Sequence, residues 1–295
     1  IYSSNKKIED IEAHSEWIID SNVIIPKNQV LNIGPGTVID MINGAGIISY
    51  GGVSFNGTNN DPIHIISRDG TGIGLAVISA RKRSNIDYTN FKGLSEPEKN
   101  ARSLTSPVVF YESDVDITNS TFENNSSEDA LNIVRSDFFI NKVLFRNTPS
   151  DALDADYSTG HIKEASFFNI GNDAIDVSGA NILLENISIN GSLDKGISIG
   201  EKSVSTGSDI YIKDSNLGIS SKDLSSFRFN KVEISNTGIA YSLFIKKREF
   251  GPSSGIIIDG TLKENDLDFL IEKGSSLKFN DIPMLGDLEN VKSLI

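Results

Sequence analysis

One repeat constrains this chain more than anything else in it. The segments Asp129-Ala130-Leu131-Asn132, Asp151-Ala152-Leu153-Asp154, Asp173-Ala174-Ile175-Asp176, Lys195-Gly196-Ile197-Ser198 and Leu217-Gly218-Ile219-Ser220 each stand 22 residues from the next, without slippage. A second register keeps step with them: Val143, Ala165 and Ile187, and Phe145, Phe167 and Ile189. A short repeat cannot bury its apolar residues alone, so successive turns must stack. Identical columns then lie about 4.8 Å apart, the spacing of neighbouring strands. The Leu/Ile column becomes an internal ladder, and Phe145 over Phe167 an aromatic stack. A leucine-rich repeat has a similar period, but its Leu-x-x-Leu-x-Leu pattern is absent.

The rest of the chain agrees. Apolar residues alternate in short runs separated by Gly, Asn, Asp and Ser, an all-β pattern. Strands are expected at Val23–Ile25, 30–33, Val38–Met41, 47–50, 63–67, Val108–Tyr111 and 138–145. Helical spacing occurs only around residues 8–17 and 285–295, which are expected to cap the open ends of the stack. The segment 80–106, rich in Lys, Arg, Asn, Ser and Glu, is expected to protrude as a loop. The organisation expected is therefore an N-terminal cap over 1–22, a solenoid over 23–283 and a C-terminal cap over 284–295. At this period the length holds roughly 10 to 12 coils.

Composition narrows the chemistry. With 27 Lys+Arg against 40 Asp+Glu the formal charge is −13, and there is no Cys. Disulfides, thiolate metal sites and Cys nucleophiles are excluded. So acidic a chain is not expected to bind nucleic acid, which needs clustered cations. No run approaches the roughly 18 apolar residues of a membrane span. Ile1 is not a start methionine, and the chain is expected to be part of a larger one.

The opening run from Val23 to Ile39, with Ile25-Pro26-Lys27-Asn28 and Ile33-Gly34-Pro35-Gly36-Thr37, and the successive stretches SEDALNIV, SDALDADYS, NDAIDVSG and DKGISIGEKS resemble the rungs of the right-handed parallel β-helix proteins of bacteria, the pectin-lyase-like superfamily. The resemblance covers about Val23 to Pro283. It implies a secreted, periplasmic or cell-surface protein that acts on or binds a polysaccharide. It singles out no catalytic subfamily, because the Asp-Pro-His, Asn-Thr-Asp, Gly-His-Gly and Arg-x-Pro-x-x-Arg fingerprints of its enzymes are absent.

Period-2 alternation puts the Leu/Ile column and the column two later (Ile133, Ala155, Val177, Ile199) inside. The columns Asn132, Asp154, Asp176, Ser198, Ser220 and Val134, Asp156, Ser178, Gly200, Lys222 then face outward. Asp129, Asp151, Asp173 and Lys195 fall just before the strand, where Asp is a favoured turn former. Strand-interior Asp has no such reason, so Asp154, Asp156 and Asp176 are candidates for chemistry. Stacked carboxylates repel, and three things offset this: a shared proton, the lysines Lys195 and Lys222, or Ca²⁺, which suits an all-oxygen ligand set from Asp151, Asp154, Asp156, Asp173 and Asp176.

Two enzymatic readings follow from the resemblance. In a lyase-like reading Ca²⁺ neutralises a uronic acid and Lys195 takes the α-proton. In a hydrolase-like reading Asp154, Asp156 and Asp176 supply general acid and water activation. Arg135, Tyr157, His161, Glu201 and Lys222 border the patch as candidate substrate contacts. The run Lys246-Lys247-Arg248 reads as a solvated loop. A third reading stands beside these: a non-catalytic β-helix module of a surface protein that binds a partner or acts as a spacer.

Overall fold

A computed structural model describes residues 10–96 and 105–295. Among them the chain is a parallel β-solenoid, and a 3-10 turn at Val291–Ser293 is its one helix. It divides into two units, Ile1–Ser150 and Asp151–Ile295.

In the first unit the strands Val23–Ile25, Gly46–Ser49, Gly74–Ile78, Val108–Tyr111 and Asp129–Val134 pair in parallel, each with the next. Other strands build a companion sheet, where Phe91, Phe122 and Phe145 occupy equivalent positions on successive turns. Their rings stack at 5.0 and 4.8 Å between centroids and are fully buried. Phe145 thus stacks on Phe122 within its own unit.

The second unit is the more regular. The short strands Asp151–Asp156, Ile175–Ser178, Lys195–Gly200, Leu217–Lys222, Ile239–Phe244 and Leu267–Ile271 form one sheet, in parallel register throughout. Leu153, Ile175, Ile197, Ile219 and Tyr241 are aligned across it and have no exposed surface. Longer strands, Thr159–Ile170, Asn181–Ser192, Val204–Lys213, Ser226–Ser235 and Ser254–Lys263, form the second sheet. These long strands turn a corner at Glu164, Asn186, Asp209, Lys231 and Asp259, all with φ between 49° and 59°. A second ladder of left-handed corners follows at Asn169, Gly191, Asp214, Asn236 and Glu264. Asn, Asp and Gly predominate at these corners because they tolerate the left-handed region at least cost.

Five rungs in one unit and six in the other fit the expected coil number. Several local expectations are corrected. Residues 10–17 are not a helix: Asp10–Ile11 and Glu16–Ile19 are strands paired with the next coil, and residues 8 and 9 lie outside the described residues. The turn 285–295 holds a single 3-10 turn, preceded by an antiparallel hairpin of Ile282–Leu285 on Ser276–Phe279. Within 80–106, Ser84–Asp87 and Thr89–Lys92 are strands of the stack, and 97–104 lie outside the described residues. The strand expected over 138–145 is two strands, Asp137–Asn141 and Leu144–Thr148, because Lys142 between them adopts φ 56°.

Candidate functional site

The outward columns are where alternation puts them. Asp154, Asp176, Ser198, Ser220 and Ser242 are in register on successive rungs of the short-strand sheet, and Asp156 stands beside Ser178 and then Gly200. The face changes character along the stack. Asp154, Asp156 and Asp176 are half-buried, whereas Ser198, Ser220, Ser242 and Lys222 are buried.

The cover comes from the segment after Ile239–Phe244, which folds back over the preceding rungs. The Lys246 and Lys247 amides both donate to Asp223 Oδ1 at 2.7 Å, and the Leu224 amide donates to the Gly251 carbonyl at 2.8 Å. Lys247 Nζ donates to Glu201 Oε1, and the Ser178 hydroxyl donates to Glu201 Oε2. Lys202 Nζ stands 5.6 Å from the centre of the Phe250 ring. The open Asp154–Asp176 row therefore ends against a basic wall. Lys222 Nζ reaches back from that end to donate to Ser198 Oγ at 2.8 Å. The sequence marks Lys246 and Lys247 only as a charged loop; that they form this wall depends on the six residues by which the interval from Tyr241 to Phe269 exceeds the regular 22.

Burial and charge set the protonation of the wall and of the row before the strand. Burial pushes the Asp173 carboxyl up to about 7; the Lys195 charge opposes this, and Asp176 and Asp151 reinforce it. Burial also raises Asp151. Burial alone would lower Lys195, but Asp173 and Asp194 outweigh it and raise its pKa. Lys246 is lowered, first by the charge of Lys222 and then by burial. Glu201 would be raised by burial, yet its bonds from Lys247 and Ser178 hold it below the usual range.

These contacts sort the candidates. Asp151 and Asp173 link successive rungs: Asp151 Oδ1 accepts from the Asp173 amide at 2.8 Å and from Asn172 Nδ2 at 2.6 Å, and Asp173 Oδ1 accepts from the Lys195 amide at 2.9 Å. Lys195 Nζ lies 3.3 Å from Asp173 Oδ1 and also donates to Asp194. An ammonium held by two carboxylates stays protonated at neutral pH, so Lys195 is poorly suited to be a proton acceptor. Glu201 and Lys222 belong to the wall. Tyr157, 63% exposed, follows Asp156 at a corner, and its ring lies against Gly179, where a Cβ would fall 2.8 Å from Tyr157 Cδ1.

His161 is on the long-strand sheet, paired through Nε2 with Glu185 Oε2 at 2.9 Å, and not on the carboxylate face. Arg135 and Asp129 belong to the first unit. There Arg135 donates to the Tyr111 hydroxyl at 2.7 Å, and Asp129 accepts from Thr105 Oγ1 at 2.6 Å.

The fit to Ca²⁺ is poor. Among the described residues no three His, Asp or Glu side chains converge as metal ligands. Lys195 stands where a cation would neutralise Asp173, and Asp151 Oδ1 is taken by backbone and amide donors. Two carboxylate oxygens, Asp176 Oδ1 on the open row and Asp223 Oδ2 in the wall, are buried and have no hydrogen-bond partner among the described residues. A buried carboxylate oxygen without a donor is costly unless a proton or a ligand completes it.

No family model matches the chain, and no curated protein matches its sequence. Solved structures similar to it include tailspike protein 2 of the Escherichia coli O157:H7 bacteriophage CAB120, at 13% identity and TM-score 0.48 over 90% of this chain and 38% of that one. The chain thus spans well under half of that tailspike. The A-module of a mannuronan C-5 epimerase from Azotobacter vinelandii is 12% identical, with TM-score 0.40 over 86% of this chain and 88% of that one. An endo-xylogalacturonan hydrolase from Aspergillus tubingensis is 14% identical, with TM-score 0.32 over 91% of each chain. At these identities the likeness is one of fold. With its stacked parallel rungs, this chain has a parallel β-helix architecture.

Proposed function

We propose that the chain acts on a polysaccharide laid along the open Asp154–Asp176 face, with these two carboxyls as general acid and nucleophile and Tyr157 as a stacking edge for a sugar ring. The observation that carries this reading is the unpartnered, buried Asp176 Oδ1 in register with Asp154. Neighbouring positions on paired strands put such carboxyls about 5 Å apart, the separation at which one carboxyl protonates a glycosidic oxygen while its partner attacks the sugar carbon. The exposed Lys246 of that wall supports an acidic polymer as the substrate. Hydrolysis is favoured over β-elimination because Lys195, the base that elimination would use, is tied to Asp173 and Asp194.

The test is a panel of uronic-acid and neutral polysaccharides, scored for new reducing ends and for the absorbance of unsaturated uronate, with and without EDTA. The reading expects reducing ends without unsaturation, indifference to EDTA, and a loss of about a hundredfold or more in Asp154→Asn and Asp176→Asn. Unsaturated product abolished by EDTA would replace it with a calcium-dependent lyase. Silence across the panel would leave the chain a binding or spacer module.

A further inference from the structure

The second unit carries a separate groove on the outer surface of its long-strand sheet, about 290 Å³ in volume. It is lined by Leu183 and Glu185 on one strand, Thr206 and Ser208 on the next, Arg228 and Asn230 on the third, and Ile258 on the fourth. Gly207 stands at its centre. A Cβ there would lie 1.9 Å from the Leu184 carbonyl oxygen, so the local backbone path requires glycine.

Arg228 is exposed, and its guanidinium has no hydrogen bond or ion pair among the described residues. Its in-register neighbours, Thr206 and Ile256, are uncharged, as are Ser208, Asn230 and Ile258 in the column beside it. The one carboxylate in the lining, Glu185, is paired with His161. The groove therefore offers a planar fork of donors with no internal counter-charge, hydroxyl and amide groups beside it, and apolar surface from Leu183 and from Ile258, which is 41% exposed. A guanidinium fork matches a carboxylate through two parallel bonds. Hydroxyls and an amide match ring hydroxyls, and aliphatic side chains match the C–H face of a pyranose. One ligand class combines all three features, a sugar bearing a carboxylate.

We propose that this groove is a second, non-catalytic binding site for a uronic-acid sugar, anchored by Arg228. It rests on its own side chains and not on the reading of the Asp154–Asp176 face. Two sites on two sheets of one unit would hold an acidic polymer at more than one point, raising its residence without any change in the chemistry.

The experiment titrates trigalacturonate, with maltotriose as the neutral control, into the full chain carrying Asp154→Asn and Asp176→Asn, so that no cutting interferes. Saturable binding of trigalacturonate is expected. Adding Arg228→Gln should weaken it about tenfold or more, as loss of a charge-assisted pair does. Adding Thr206→Glu, which sets an internal carboxylate in register with Arg228, should weaken it comparably. Circular dichroism confirms that both variants fold. Binding unchanged by both substitutions, maltotriose binding as tightly as trigalacturonate, or no binding at all would overturn the proposal. None of these outcomes bears on product formation by the carboxylate pair, which is scored separately.

Discussion

The buried Asp173–Lys195 pair governs the residue scale. Asp173 ionises near 7 instead of near the ordinary 3.8, chiefly because it is buried. Between those values the folded chain holds a proton that the unfolded chain has released, so stability falls as pH rises through the window and levels off above about 7. Asp151, also raised, acts in the same direction. Carboxylates held below their usual range, such as Glu123 and Glu201, lose their contribution only at lower pH. Thermal melts should therefore give a lower Tm at pH 8 than at pH 5, and Asp173→Asn should flatten that slope; an unchanged slope would assign the effect elsewhere. Lys195→Ala removes the charge that opposes the rise of Asp173, so Asp173 should stay protonated to higher pH, and the stability lost by denaturant titration should be larger at pH 8 than at pH 5. Much of this was hidden in the sequence. Alternation could place Asp154 and Asp176 outward, but that Asp173 caps the Lys195 amide one rung on, while Asp176 Oδ1 meets no donor, depends on three-dimensional reach across rungs.

At the scale of elements, the stack is held by columns that only register creates. Phe122 is sandwiched between Phe91 and Phe145, with rings nearly parallel at 14° and 9°. Phe122→Ala removes a buried ring and both of its stacking contacts, and should cost about 3–5 kcal/mol. Phe122→Leu, which fills most of the volume, should recover a large part of that loss; equal losses would mean that the column is not close-packed. The corners make a second expectation. At Asn186, φ 55°, substitution by Gly should be tolerated, while Val should cost about 1–2 kcal/mol. These elements were legible to different degrees. The 22-residue columns gave the rungs from Asp151 to Lys222 in correct register. The same spacing continues to Tyr241, where an aromatic in place of Ile disguises it. Residues 10–17 mislead because the short strands Asp10–Ile11 and Glu16–Ile19, separated by a turn, mimic a helical spacing of apolar residues. In 84–92, a polar outward face on strands that bury Ile86 and Phe91 resembles a loop.

At the scale of the molecule, the net charge of −13 is not one uniform field. In the second unit, carboxylates on the short-strand face meet a wall containing Lys222, Lys246 and Lys247, while Arg228 stands uncompensated on the other sheet. A repeat fold accommodates such separate surfaces because each rung satisfies its interior with aliphatic columns and leaves alternate positions free to vary. This is why the sequence could declare the architecture and yet leave the chemistry open: the interior columns obey the repeat, and the outward ones do not.

The most direct measurement compares two variants on whichever polysaccharide the wild-type chain cuts, at a temperature where circular dichroism shows both folded. Asp176→Asn removes the unpartnered carboxylate, and the double variant Asp173→Asn/Lys195→Met removes the buried pair together. If the Asp154–Asp176 pair does the chemistry, kcat falls about a hundredfold or more in Asp176→Asn and stays within a few-fold of wild type in the double variant. Full turnover by Asp176→Asn, with loss of activity only when Lys195 is removed, would contradict it.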